Sequence, residues 1–572
     1  MIARRRALTA AAGLVAIAAA AGACTTTPQP LPGPAPDATG SAATPEPPPG
    51  QVAGIPIPDG RIDDAVDRLD AVAAGAMHDP DVTGMAVAVV HDGTVVFERG
   101  YGTTTPPAGA PAPAAGTPGS GTSDADGARV DANTVFPLGA LSTPVAATVV
   151  ATQLTEGRSW STPVQALMPQ FAVADPYVSG HATVGDLFTG TSGLPEDAAI
   201  GAAHIGVDRQ SMLDRLESLP PGTFRAAARP GALGPTIAGE AVARASGTDW
   251  ATLYARSLFH RLGMDSTSYR ARDFAARTDS SAPVLVAADG TVTAVDRAWT
   301  DAVAPARGLS SSAHDMAEWM RVLLSDGMYK GVRVIPAEPL AAALSPQAVA
   351  PETATEAADA IDARGVARGY GFGVTDSAAG RVVITGGGTA GHDAPTGPDS
   401  AVTLIPSAGV GIVTLTNAVS TSERPVAAAQ AVNAAFADLV QFGEMQRDWA
   451  AWFARTPLSH ATPRQGTSAA SPTTAAPSPG APLPAFDGVY TNPFYGEATV
   501  RTSNDTTTLT LGPGRKAFRL TRTGDAAFAI APADPAAPGA AAFRREHPDA
   551  VATFDGDALT ISFLDQAGAF RR

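Results

Sequence analysis

The chain has 572 residues, 55 of them acidic and 39 basic, for a net charge of −16, and all but two of the basic side chains are arginine. That balance argues against nucleic acid, whose affinity rests on clustered positive charge. The two lysines are Lys330 and Lys516, so no lysine base, Schiff base or phosphate-gripping lysine lies before residue 330.

Along the chain, Arg4, Arg5 and Arg6 precede an uncharged apolar run from Ala7 to Ala21, and small residues then lead to Cys24. A cationic start, a short apolar stretch and small residues describe a secretory signal, and the run is short for a transmembrane helix. Small residues leading into a cysteine resemble the bacterial lipoprotein signal, in which that cysteine is lipidated and becomes the mature N-terminus. Ala21 stands where that signal usually has leucine. Cys24 is the only cysteine and has no intramolecular disulfide partner. The expectation is a signal over 1–24 and an extracytoplasmic protein lipid-anchored to a bacterial cell membrane.

Eleven prolines between Pro28 and Pro58 make residues 25–58 a semi-rigid, solvated tether. Patterned sequence from 59 to 445 reads as one α+β domain, with an unstructured insertion at about 103–131. In it, Gly84 to Val90 and Thr94 to Phe97 flank Asp92-Gly93 and read as a β-hairpin. Thr143-Pro144 followed by Val145 to Leu154 predicts a capped helix with proline at its first position. His314 to Leu324, after Ser310-Ser311-Ser312, has helical periodicity, and Val382 to Ile384 and Gly411 to Leu415 are strand-like. Residues 446–484 read as a helix end and linker, and 485–572 as a small all-β domain.

In their order these segments resemble the serine β-lactamase and penicillin-binding-protein superfamily, closest to its class C and esterase-like branch, over most of 80–445. The resemblance is carried by Arg99-Gly100-Tyr101-Gly102, Phe136 to Pro144, Thr191-Ser192-Gly193-Leu194-Pro195 and Pro221-Gly222-Thr223. It continues through Leu262-Gly263-Met264, Pro305 to Ser311, Tyr370-Gly371-Phe372-Gly373, Gly387 to Gly391 and Leu404-Ile405-Pro406. It implies an antiparallel sheet flanked by helices with an all-helical subdomain. The tail, Gly488 to Gly496, looks like a small β domain appended to esterase-like members.

The resemblance also implies three catalytic constellations. The first is Ser-x-x-Lys, which puts hydroxyl and amine on one helix face. Its serine and lysine positions are Ala140 and Thr143. The residues three before Lys330 and Lys516 are Gly327 and Pro513, so no Ser-x-x-Lys occurs anywhere in the chain. The second is Tyr-x-Asn, whose positions are Pro230 and Ala232, or Ala227 and Arg229 when counted from Pro221-Gly222-Thr223. The only literal Tyr-x-Asn, Tyr490-Thr491-Asn492, lies in the tail and reads as part of a strand. The third, Lys- or His-Thr-Gly, falls on Thr385, Gly386 and Gly387. The histidine that often precedes Thr-Ser-Gly is Gly190.

What survives is backbone: the resemblance implies an oxyanion hole from the amides of Ala140 and Gly388. Ser142, read as a helix cap, and His392 are the rescue candidates for nucleophile and base; Ser192 reads as a turn cap. No His-Glu-x-x-His, paired histidine or cysteine cluster points to a metal, and no cofactor is expected. The leading expectation is an envelope-anchored pseudoenzyme that binds a peptidoglycan-like peptide or an envelope protein. The alternatives are an active serine hydrolase (esterase, D-amino-acid peptidase or β-lactamase) using non-standard residues, and a purely structural surface protein.

Overall fold

The computed structural model describes residues 54–104, 128–155, 157–195, 198–286, 290–295, 298–349, 367–387, 397–420, 426–455, 486–503, 506–535, 540, 543–544, 547, 549–564 and 568–572. The signal, Cys24, most of the Pro-rich tether, the middle of the 103–131 insertion and most of the 446–484 linker lie outside these.

The hairpin forms where Asp92-Gly93 places it. Both residues take positive φ, 48° and 73°, between β1 (Gly84–His91) and β2 (Thr94–Gly102), as a two-residue turn between right-twisted strands requires. β1 is covered on both faces. Met85, Val87 and Val89 join one apolar cluster while Ala86, Ala88 and Val90 join the other, following the two-residue alternation of a strand.

On the main path of this sheet β1 and β2 are joined by β3 (Ala348–Val349), β4 (Ala367–Arg368), β5 (Gly373–Asp376), β6 (Val382–Gly387), β7 (Gly397–Ile405) and β8 (Val410–Ser420), and two short strands off the path, Val284–Val286 and Val292–Ala294, attach to β8. The main path of the ten-stranded sheet runs β2-β1-β8-β7-β6-β5-β4-β3, antiparallel throughout. One face is covered by α1 (Arg61–Ala76), which buries Ala65, Leu69 and Ala73 at four-residue spacing, the stripe of an amphipathic helix. A C-terminal helix, Ala428–Phe442, packs beside α1 and adds Val432, Phe436, Leu439 and Val440.

The other face carries the helical subdomain. At its centre is α2 (Ser142–Gln153), buried without interruption from Pro144 to Ala151, as befits a helix apolar on every side. The sequence reading of its start needs correction: the cap is neither Thr143 nor Ser142. A 3₁₀ turn, Gly139–Leu141, runs straight into the helix, the residue before it is Leu141, and no side chain caps it. Pro144 is therefore third in the helix, not first. It fits because amides of the first turn have no intrahelical acceptor to lose. The subdomain also holds α3 (Pro176–His181), α4 (Val184–Thr189), α5 (Ala198–His204), α6 (Leu233–Ala245) and α7 (Ala313–Leu324), of which α6 packs directly on α2 and α4 packs on α6. α7 starts as its serines predict, with Ser312 Oγ accepting the Asp315 amide at 3.1 Å, and Trp319 Nε1 donates to Thr148 of α2 at 3.2 Å.

The tail is all-β, and it closes. Eight strands from Gly488–Asn492 to Ala569–Arg571 pair in sequential order into a barrel, which removes the open edges a small sheet would expose. The literal Tyr-x-Asn lies on its first strand, where Asn492 Oδ1 accepts the amides of Phe494 and Tyr495, each at 2.8 Å. The barrel docks on the helical subdomain. Gly514 donates its amide to Ile205 O at 3.0 Å, Arg215 donates to Phe494 O at 3.1 Å, and Leu564 packs against Gly201 of α5. Among the described residues, no helix is long and apolar enough to cross a membrane.

Candidate functional site

Ala140 sits mid-way along the 3₁₀ turn, half-buried, presenting a methyl group at the start of α2. The next turn is clamped by the segment 304–309. Ser142 is fully buried and its hydroxyl oxygen accepts the Leu309 amide at 3.0 Å, while its carbonyl accepts the Tyr269 hydroxyl at 2.9 Å. Thr143 donates to Ala306 O at 3.4 Å, and Leu138 donates to Leu309 O at 2.8 Å. Ser142 is thus a bridge between two segments 167 residues apart.

β6 runs beside this helix start. A Cβ on Gly386 would lie 2.7 Å from Pro144 Cγ, and one on Gly387, whose φ is +72°, would lie 2.3 Å from Ser400 O and 2.9 Å from Leu141 Cβ. At both glycines neighbouring atoms come closer than a side chain would allow. Thr385 faces the other way, with its hydroxyl against Gly373 on β5. The structure therefore brings Ala140, Thr143, Gly386 and Gly387 to one place, with Thr385 turned from it. Gly388 and His392 lie outside the described residues, so the second oxyanion amide and the rescue base have no place here.

Pro230 follows directly on a segment packed against Gly190, and Ala232 stands two residues further on. Gly190 ends α4 at φ +75°, its carbonyl accepts the Arg229 amide at 2.8 Å, and a Cβ there would lie 2.3 Å from Arg229 C and Pro230 N. Ala232, buried, immediately precedes α6 and accepts the Thr236 hydroxyl at 2.7 Å. Backbone occupies the space in front of Gly190.

An ion pair ties these loops together, and the sequence reading missed it. Asp186 on α4 accepts from Arg225 Nε and Nη2 at 2.9 and 2.7 Å, from Thr183 N and Oγ1 at 2.9 and 2.7 Å, and from Thr191 Oγ1 at 3.1 Å. Burial works against its charge, but the hydrogen bonds from Arg225 and Thr183 prevail and hold the carboxyl below its ordinary value. The visible signal was Thr183-x-x-Asp186 before apolar residues, a reciprocal helix-start box. Next to it, the Tyr370 ring stacks on Trp160 at 4.3 Å. Burial, helped by the Asp186 charge, raises the Tyr370 phenol pKa. Ser192 is buried, and its hydroxyl oxygen meets the Leu194 amide at 3.5 Å. Among the described residues, no group of three His, Cys, Asp or Glu side chains could hold a metal ion.

A mixed fold of this kind, with a helix start facing an antiparallel strand, defines the β-lactamase and transpeptidase class of serine hydrolase folds. The beta-lactamase family model matches residues 69–436, and the chain belongs to that family. The octameric penicillin-binding protein homologue from Pyrococcus abyssi superposes with a TM-score of 0.53 at 14% identity, over 89% of this chain and 100% of that one. A class C beta lactamase from Rhodobacter sphaeroides aligns with a TM-score of 0.46 at 18% identity, over 64% of this chain and 98% of that one. No curated protein is matched by the sequence.

Proposed function

We propose that this chain is a non-catalytic member of the family, anchored to the cell envelope through Cys24, which binds a peptidoglycan-like peptide or an envelope protein without turning it over. The observation that carries this reading is chemical. No Ser-x-x-Lys occurs anywhere in the chain, and in the register that the family resemblance implies Ala140 and Thr143 stand at the nucleophile and base positions. In subtilisin, the handiest measured comparison, removing the nucleophilic serine alone costs on the order of 10⁶ in turnover. Arginine, the chain's abundant cation, cannot take lysine's part, because its pKa exceeds about 12. Two further observations support it: Gly190 and Gly386 are both packed against neighbouring chain where a side chain would stand. Ser142 offers no rescue, since its hydroxyl is buried and engaged.

Fluorescent penicillin and a fluorophosphonate are expected to leave the purified protein unlabelled. Covalent labelling that disappears in Ser142→Ala would sink the reading. Ser142→Ala itself is expected to cost about 1–3 kcal/mol of stability, the effect of leaving the buried Leu309 amide unpartnered. For the anchor, Cys24→Ala should move the protein from the membrane fraction to the medium; a variant that stays membrane-bound refutes lipid attachment.

A further inference from the structure

Behind the candidate site, at the start of β7, three buried polar atoms have no hydrogen-bond partner among the described residues: Asp399 Oδ1, Ser400 Oγ and Asn433 Nδ2. Asp399 and Ser400 are neighbours on β7. Asn433 lies one turn beyond Ala429, whose amide the Asp399 carboxyl accepts at 2.8 Å. Ala427 gives the helix Ala428–Phe442 no side-chain cap, so Asp399 serves its first turn from a distant strand. Buried polar groups are nearly always paired, and unpaired ones gathered at a single strand start leave that spot weakly held.

A carboxylate here faces no cation. β7 packs against β6, β8, the helix Ala428–Phe442 and the 3₁₀ turn Gly139–Leu141, and none of the four carries Lys, Arg or His. The one titratable side chain on them is Asp438, whose Oδ2 accepts the Gln446 amide at 2.9 Å and Trp449 Nε1 at 2.7 Å. From the loop after α1, Asp79 faces Asp399 as a second negative charge. The helix amides offset only part of this, and burial pushes the Asp399 carboxyl up to about 7.

The path from this carboxyl to the candidate site is short. Pro398 pairs with Val419 while Ser400, two residues on, pairs with Leu415, so the ladder bulges around Asp399. Thr416 Oγ1 donates to Asp399 O at 2.6 Å and pins the bulge. Both neighbours of Asp399 touch the site. Pro398 Cδ lies 3.0 Å from where a Cβ on Gly139 would stand, against the turn that carries Ala140, and Ser400 O lies 2.3 Å from the same point on Gly387. A bulge beside a site sets the aim of the residues around it.

We propose that Asp399 is a proton switch for the candidate site: protonated, it holds the β7 bulge and the Ala140 turn in the closed packing described above, and ionised, it draws water to the buried charge and loosens both. The switch stands on this packing; its consequence for ligand rests on the proposed binding function. Opening returns the carboxyl to water, where it titrates near 3.8, so opening becomes easier as pH rises and levels off above about 7. For one proton the gain between pH 6 and pH 8 is at most about tenfold.

Hydrogen exchange of the purified protein at pH 6 and pH 8, with labelling times scaled to the intrinsic rate, tests the switch. Peptides covering 136–144 and 397–405 are expected to lose up to about tenfold of their protection at pH 8, while the barrel strand Thr506–Leu511 stays unchanged. Asp399→Asn should make protection equal at the two pH values, and Asp438→Asn should keep the original difference. Equal protection of 136–144 in the unaltered protein overturns the proposal, whether or not Asp399→Asn folds. A difference that persists in Asp399→Asn overturns it as well. So does a change confined to 397–405, which would leave the charge without reach to the site, or one shared equally by the barrel, which would be global loosening. Penicillin labelling reads the non-catalytic reading independently, so either can fail without the other.

Discussion

Gly190→His, which puts the family's histidine back before Thr191-Ser192-Gly193, is expected to destabilise the fold by about 2–6 kcal/mol. Two costs add. A residue with a side chain held at φ +75° carries about 1–3 kcal/mol of backbone strain, and forcing atoms into a packed space costs about 1–3 kcal/mol more. The space is packed by main chain: Arg229 C and Pro230 N would each be 2.3 Å from the new Cβ, and neither can swing aside as a flexible side chain would. Gly263→Ala is the control. Gly263 has the same φ of +75° but nothing within 4 Å of its Cβ direction, so it should show the strain alone, about 1–3 kcal/mol. Chemical denaturation of the two variants separates the terms. If Gly190→His is no less stable than Gly263→Ala, the 229–230 loop yields freely and the room for a histidine persists. That outcome would weaken the proposed non-catalytic reading, which treats these positions as filled in. Gly386→Thr, the matching change on β6, meets Pro144 Cγ at 2.7 Å and Val402 Cγ1 at 3.0 Å and is expected to cost about 1–3 kcal/mol.

How much of this could be read from residues alone follows from how local each signal is. The Asp92-Gly93 turn and the Ser312 cap were legible because their chemistry is complete within four residues. The start of α2 was misread for the opposite reason. Thr143 and Ser142 look like caps in sequence, but their hydroxyls are taken by Ala306 and Leu309, more than 160 residues on. The barrel was legible as β and not as closed, since closure depends on the Thr491–Arg571 pairing of its first and last strands. The candidate site divides in the same way. Ala140 and Gly386 follow from motif order, whereas the Asp186–Arg225 pair joins a residue of α4 to a loop residue 39 positions on, with no spacing rule to announce it.

Asp399→Asn is expected to stabilise the protein at pH 8 by about 2–4 kcal/mol and to leave stability at pH 4 unchanged. Asp399 lies at the irregular start of β7 with its side chain wholly buried. One oxygen accepts the Ala429 amide at 2.8 Å, at the N-terminus of the helix Ala428–Phe442, and Oδ1 has no hydrogen-bond partner among the described residues. Burial pushes its pKa up to about 7, with the Asp79 charge adding to the rise and the Ala429 and Ala428 amides only partly opposing it. In the unfolded chain the same carboxyl titrates near 3.8. Between about pH 4 and pH 7 the native state therefore holds a proton that the unfolded state has released, and stability falls as pH rises through that window. Above about 7 both states are ionised and the loss is complete. Asparagine keeps a carbonyl for Ala429 but has no charge to desolvate, so the part of the slope due to Asp399 should vanish, leaving that of Asp315 and Asp438, whose pKa values burial also raises. Asp186 acts in a separate window and with opposite sign: its lowered pKa contributes stability above about pH 4 that is lost only as pH falls further. Stability curves from pH 3 to pH 9 on both proteins decide the matter. A variant that keeps the original decline between pH 4 and pH 7 would show that Asp399 is not the group that takes up the proton.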